Sequence, residues 1–344
     1  MKKFFVFLLA INISIFSLST EARTMRVNVQ GAFPGSLAHL GQFPKDLIEK
    51  INTASDGSIK MRFQEPGALV PAGEMFDAIS KGSIDAGWAS AGLWSGKNSA
   101  FNLFAAVPFG PEAPEYLAWY YYGGGQELHQ SLYAKYNIYA IPCGLSSPEA
   151  SGWFKKEIKK IEDFRGLKMR FYGLGAKVME RLGVSTQLLG GGEVFQALQL
   201  GTIDATEFGM PNIDYSFGFH QVAKHYYLPG WHQPATFQEF MINKKKWEKF
   251  SEAQKMVVEI ACGDNVRQGL AMGEAAQFKA LQDIQAKGVT LHRWDDAILE
   301  RLEQEWSTVV AEEKKANPYF AKTWDSLNSF RQNYSEWKNL GFVK

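Results

Sequence analysis

Cysteine is almost missing from this chain: two in 344 residues, Cys143 and Cys262. That scarcity excludes a multi-disulfide scaffold and a cysteine-rich zinc site. Whether the two thiols form one bridge stays open, because spacing along a chain says nothing about approach in space. Long apolar runs are missing after the first two dozen residues, so nothing later in the chain reads as a membrane span. An excess of one charge sign is missing as well. With 37 basic and 36 acidic residues there is no electrostatic field for nucleic acid and no polybasic stretch for anionic lipid. The densest basic run, Lys244-Lys245-Lys246, reads as a solvated helix start. Nucleophile elbows, His-Glu-x-x-His pairs and phosphate-binding Walker loops are absent. The six histidines (His39, His129, His220, His225, His232 and His292) show no metal-ligand spacing.

What is present begins with an export signal. Lys2 and Lys3 precede an apolar stretch over residues 4–16, and Thr20-Glu21-Ala22 supplies small residues for cleavage near Ala22. Residues 1–22 are therefore expected to be removed, leaving 35 basic and 35 acidic residues in an exported, periplasmic protein. About 320 remaining residues exceed one ordinary core and suit two lobes.

The chain also carries an internal echo. Residues 72–86 read AGEMFDAISKGSIDA and residues 191–205 read GGEVFQALQLGTIDA, an ungapped match at an offset of 119. A second echo pairs Lys60-Met61-Arg62-Phe63 with Lys168-Met169-Arg170-Phe171. Two related units imply two similar lobes, and a cleft between them is a natural place for a small molecule. Alternating patterns predict strands over 25–30, 58–63, 84–88, 137–142, 151–155, 168–171 and 203–207. Helices are predicted over 37–54, 71–81, 116–136 (interrupted at Gly123-Gly124-Gly125), 175–182 and 193–200. Residues 224–228 and 239–243 read as strands returning to the first lobe. Most of the chain beyond 244 reads as helix. Strands alternating with helices argue an α/β fold with largely parallel sheets.

Arg170 ends a predicted strand, where open α/β sheets present ligand-binding side chains, and a guanidinium grips a carboxylate through two parallel hydrogen bonds. Arg62 is its counterpart in the echo. Glu149, Glu207 and Gln233 place oxygen-bearing side chains in three separate loops. Two carboxylates, an amide oxygen and a backbone carbonyl could hold a hard cation. The same glutamates could instead be the acid/base pair of a hydrolase, or unconnected surface residues. Gly190-Gly191-Gly192 opens a helix whose N-terminus could take an anion, or simply gives the chain a flexible turn.

The stretches Ile141–Gly144, Gly152–Lys155, Asp163–Arg170, Gly201–Glu207 and Tyr226–Trp231 together resemble the periplasmic receptors of TRAP transporters, in the branch that binds 2-oxo and related monocarboxylic acids. The resemblance spans nearly the whole mature chain. It implies a two-lobe periplasmic-binding-protein-like fold with an interlobe cleft, a long lobe-spanning helix and a helical C-terminal extension. The lobes would be 23–143 plus about 235–262, and 144–234, with 263–344 packing on both and dimerising. It implies that Arg170 binds the ligand carboxylate. It implies a bridging Na⁺ or Ca²⁺ held by Glu149, Glu207, the Phe208 carbonyl and Gln233, with Glu149 also on the substrate side.

Trp88, Phe208 and Trp231 are expected as pocket walls. The implied partners are a small organic carboxylate, the TRAP membrane subunits and a second copy of the chain, with no nucleic acid. The departures are Glu149 where the branch has Gln, Gln233 where it has an acid, Phe208 where it has Trp, and Ala91-Gly92-Leu93-Trp94 where it often has tyrosines. The last two make room for a bulkier or more apolar acid. A metal-independent sugar-acid receptor, a secreted hydrolase using Glu149 and Glu207, and a sensor subunit are the rival readings. On any receptor reading Arg170→Ala should abolish binding and leave the fold intact.

Overall fold

The computed structural model describes residues 24–341, so the expected signal segment lies outside the described residues. The first half runs β1 (Met25–Gly31), α1 (Gln42–Ala54), β2 (Ile59–Gln64), α2 (Met75–Lys81), β3 (Ala86–Ala89), α3 (Ala113–Tyr122), α4 (Gly125–Ala134), β4 (Ile138–Ser146) and β5 (Gly152–Phe154). It continues with β6 (Lys168–Arg170), α5 (Leu174–Arg181), β7 (Ser185–Gln187), α6 (Gly191–Leu200), β8 (Ala205–Thr206), α7 (Pro211–Ser216) and β9 (His225–Leu228). The C-terminal part holds β10 (Thr236–Asn243), α8 (Lys244–Trp247), α9 (Glu252–Ala286), β11 (Thr290–Arg293), α10 (Asp296–Ala316) and α11 (Pro318–Gly341).

The strands form two sheets, one ordered β2-β1-β3-β10-β4 and one ordered β11-β9-β5-β8-β6-β7. Both are largely parallel, as expected, with one strand reversed in each. β10 runs antiparallel to both β3 and β4, and β5 runs antiparallel to both β8 and β9. The reason is topological: a chain that leaves one sheet and returns from the other inserts its crossing strands in the reverse direction. One expectation needs correction. β9 stays in the second sheet, paired with β5 and β11, and only β10 returns to the first. β11 closes that sheet's edge and was not foreseen.

The internal echo is structural. α2 ends at Gly82 and α6 ends at Gly201, both in the left-handed region with φ 77°. A side chain is disfavoured there, so glycine stops both helices. Each helix is followed by a buried strand that begins at an equivalent alanine, Ala86 and Ala205. The second echo diverges. β2 is an edge strand and exposes Arg62, whereas β6 lies between β8 and β7 and buries Arg170.

Helix α9, 35 residues long, ties the halves together. Ser251 accepts from the Gln254 amide at its N-terminus, a reciprocal cap that sets where the helix starts. Farther along, Asn265 donates to the Cys143 carbonyl at 2.8 Å, and Gln277 donates to Asn212 in α7 at 3.0 Å. Helix α10 is pinned to α5 by Arg181 with Glu305 and Glu312, and α11 to α3 by Arg331 with Glu115. Among the described residues no helix is long and apolar enough to cross a membrane.

Cys143 in β4 and Cys262 in α9 form a disulfide, the point that spacing left open. It closes a loop of 119 residues. In the chain-entropy account such a loop stabilises by on the order of 4 kcal/mol, because it restricts the unfolded chain. Replacing both cysteines by Ser should therefore lower the melting temperature by several degrees, read by differential scanning calorimetry. An unchanged transition would show that the bridge adds nothing to the packing of α9 on β4.

Candidate ligand and metal site

The chain crosses between the sheets after β4, before β10 and along α9, and the first two crossings lie side by side. The Glu149 amide donates to the Gln233 carbonyl at 3.2 Å, and the Gly230 amide donates to the Glu149 carbonyl at 2.9 Å. Glu149 and Gln233 are therefore placed together by backbone bonding between the crossings. Glu207 arrives from the end of β8 and Arg170 from the end of its neighbour β6. Four residues scattered over more than eighty positions thus converge at one level of the fold.

Arg170 Nη1 donates to the Glu207 carbonyl at 2.8 Å and to Glu207 Oε1 at 2.7 Å, and Nε reaches the Leu189 carbonyl at 3.4 Å. The guanidinium lies 4.7 Å from the centroid of the Phe208 ring, which adds a cation–π contact. Among the described residues Nη2 has no hydrogen-bond partner. Arg170 also lines a cavity of about 710 Å³ between the two halves.

Glu207 is fully buried. Its Oε1 also accepts from the Tyr172 amide at 2.5 Å, and its Oε2 stands 3.5 Å from His232 Nε2, long for a hydrogen bond. Burial pushes this carboxyl up, but Arg170, His232 and the Tyr172 amide outweigh burial and hold it below the usual carboxylate range. Glu149 has no such support. Burial first, then the charges of Glu207 and Asp214, push its carboxyl well above the ordinary range, against smaller opposing effects of Arg170 and Thr236. Asp214 lies nearby, and burial pushes it up to about 8 although Trp153 and Tyr226 both donate to its Oδ2, at 3.0 and 2.9 Å.

Two buried acids, Glu149 and Glu207, thus face one arginine, with Asp214 close by. Glu149, Glu207 and His232 each offer a ligand atom, and these atoms all lie within 4.8 Å of one another. Glu149 Oε2, Glu207 Oε2 and Gln233 Oε1 are buried acceptors without a donor. The Gln233 amide nitrogen donates to Thr236 Oγ1 at 2.8 Å, which leaves its oxygen as the unpaired end of the amide. Orphaned oxygen acceptors with surplus negative charge fit a hard cation.

Of the expected pocket walls, only Phe208 lines the cavity. Trp88 is fully buried beneath the first sheet, with its indole N–H on the Leu40 carbonyl at 3.1 Å. Trp231 is 5% exposed and stacks between Phe109 and Phe171. Both rings are spent on packing. The glycine-opened helix α6 does reach the cavity through Gly190 and Gly191, but the Gly190 amide is capped by Glu193 Oε2 at 3.0 Å.

His232 and Tyr172 were missed. His232 sits next to Gln233 on the crossing, and nothing in its spacing distinguishes it from the other histidines. Tyr172 sends its hydroxyl across to Ser90 Oγ at 2.9 Å. That hydroxyl would stand 2.2 Å from a Cβ placed on Gly92. A tyrosine from the second half thus fills the space beside Gly92, in the segment where the first half lacks tyrosines.

Residues 33–316 match bacterial extracellular solute-binding protein family 7 (DctP), and the chain belongs to this family, the solute-binding proteins of TRAP transporters. A relative from Nostoc is 31% identical over 88% of this chain and 83% of its own length, and is described as a monocarboxylate 2-oxoacid-binding periplasmic protein. A TRAP solute-binding protein from Bordetella bronchiseptica, solved with calcium and picolinate in one active site, superposes with a TM-score of 0.90 at 31% identity, over 92% of this chain and 95% of its own. One from Colwellia psychrerythraea with bound calcium and pyruvate gives 0.88 at 30% identity, over 92% and 97%. One from Pseudoalteromonas atlantica with sodium and pyruvate gives 0.88 at 28%, over 92% and 96%.

Two outcomes follow from the buried charges. Arg170→Ala should cost more than binding, contrary to the expectation from sequence, because it strands Glu207 without its partner. Breaking one side of a buried pair costs about 3–5 kcal/mol. Adding Glu207→Gln in the same chain should recover much of that loss in a denaturation experiment, and equal stability of the single and double variants would disprove the coupling. The second outcome concerns pH. A carboxyl raised in the fold holds its proton where the unfolded chain has lost it, so stability falls as pH rises through that window. In chelator, melting temperature should therefore decline between about pH 5 and pH 8, with Glu149 and Asp214 as the sources. Glu149→Gln should flatten the decline, and an unaltered profile in that variant would remove Glu149 from the account.

Proposed function

We propose that this chain is the periplasmic solute-binding subunit of a TRAP-type importer, and that it captures an organic monocarboxylate, a 2-oxo or 2-hydroxy acid, in the interlobe cleft. One observation carries the reading: a buried, acid-rich cluster of orphaned oxygens adjoins an arginine whose Nη2 is uncommitted at the cavity. Arg170 receives the ligand carboxylate. Glu149 Oε2, Glu207 Oε2, Gln233 Oε1 and the Phe208 carbonyl hold Na⁺ or Ca²⁺, with His232 beside Glu207 to orient it. Such a cation, when bound, neutralises the surplus acid and offers a coordination position to the ligand's carboxylate and 2-oxygen. The relatives with calcium or sodium beside pyruvate or picolinate support this.

No chemistry is assigned to the glutamates. Glu207 is committed to Arg170 and to the Tyr172 amide, which leaves a receptor role for the pair rather than an acid/base role. Because Glu149 and Gln233 lie on the crossings between the lobes, ligand and cation together favour the closed arrangement, a population shift that the membrane subunits would read. The lobes are 23–143 with about 235–262, and 144–234. The exposed Tyr122 of α3 and Leu340 of α11 suit contact with a second copy of the chain.

The test is a thermal-shift screen with 2-oxo, 2-hydroxy and sugar acids, each with chelator, with Ca²⁺ and with Na⁺ exchanged for K⁺. A ligand present at a hundred times its Kd stabilises by about 2.7 kcal/mol. Shifts with 2-oxo or 2-hydroxy acids that depend on Ca²⁺ or Na⁺ are expected. Shifts that ignore every cation would favour the metal-independent receptor, and turnover of an acid ester or glycoside would favour the hydrolase.

A further inference from the structure

We infer that the ligand is a 2-oxo acid with a large apolar tail rather than a three-carbon acid; this rests on the receptor reading above. The cavity of about 710 Å³ lies within the range of roughly 300–1,000 Å³ that encloses drug-sized ligands. A three-carbon acid held at Arg170 would fill only a small part of it. Around Arg170 and beyond it the walls are largely hydrocarbon: Phe33, Leu37 and Leu93 from the first half, and Leu189, Phe208 and Phe217 from the second. Phe208 and Phe217 meet edge to face at 4.5 Å, so the wall nearest Arg170 is a fixed aromatic corner.

The other charge at this cavity offers no second anion site. Lys97 Nζ is paired with Asp77 Oδ1 at 2.7 Å and lies 5.3 Å from the Phe76 centroid. A dicarboxylate would have no free cation at its far end. Trp94 completes the wall, and its indole N–H is buried without a partner. Apolar tail and apolar wall therefore match at one end, and carboxylate with cation at the other.

The measurement is titration calorimetry of the purified protein with pyruvate, 2-oxooctanoate and phenylpyruvate, each in saturating Ca²⁺, repeated on Leu93→Asn. Each buried methylene should tighten binding about fourfold. At least one long-tailed acid should therefore bind tenfold or more tightly than pyruvate, and the comparison between the two identifies an alkyl or an aryl tail. In Leu93→Asn that advantage should shrink, because Leu93 is part of the apolar wall. Pyruvate binding as tightly as both long-tailed acids would overturn the inference and leave the receptor reading standing. Failure of all three acids to bind would overturn the receptor reading and this inference with it.

Discussion

The ion pair between Arg170 and Glu207 is the constraint on which the site depends. Both groups are buried, and each is positioned by the strand it ends. Glu207 binds Arg170 through both its carboxylate and its backbone carbonyl, so the guanidinium can neither rotate nor withdraw. A pair of opposite charges would ordinarily close its own account of charge. Here a second carboxylate, Glu149, lies within coordination distance of the first, and the arginine cannot satisfy both. With both carboxylates ionised the cluster is one positive charge short, and that deficit is what a cation would supply.

The fold makes this arrangement possible by placing the acids where the chain changes lobe. Glu149 and Gln233 lie on adjacent crossings that bond to each other through the backbone, while Asn265 and the disulfide hold the first sheet against α9. On the proposed reading the cation ligands would therefore sit on the segments that join the lobes, and occupancy would couple to closure without a relay through the protein. Tyr172 adds a direct bond between halves, from its hydroxyl to Ser90.

Much of this was legible in the sequence, for physical reasons that differ between residues. The repeat at residues 72–86 and 191–205 was visible because a helix stopped by a left-handed glycine and followed by a buried strand demands similar residues wherever it occurs. Arg170 was legible from its place at a strand end, and the family resemblance supplied Glu149, Glu207 and Gln233 as a set. Spacing alone could not, since they meet only through tertiary contact. Arg62 shows the limit of the repeat: the same four residues sit on an edge strand in one lobe and in an interior strand in the other. β9 was assigned to the wrong sheet because alternation marks a strand but not its neighbours. Trp88 and Trp231 were expected at the pocket because large aromatic rings suit ligands, yet both are used to fill cores. His232 and Tyr172 carried no pattern at all.

The central claim is that a cation joins Glu149, Glu207 and Gln233 to a carboxylate held by Arg170. A crystal structure of the protein grown with Ca²⁺ and a 2-oxo acid, with anomalous data, tests it most directly. The account predicts an anomalous peak with oxygens of those three side chains and of the ligand at about 2.3–2.6 Å, and the ligand carboxylate on Arg170. A ligand seated on Arg170 with no ion beside Glu149, or an ion bound elsewhere, would contradict it.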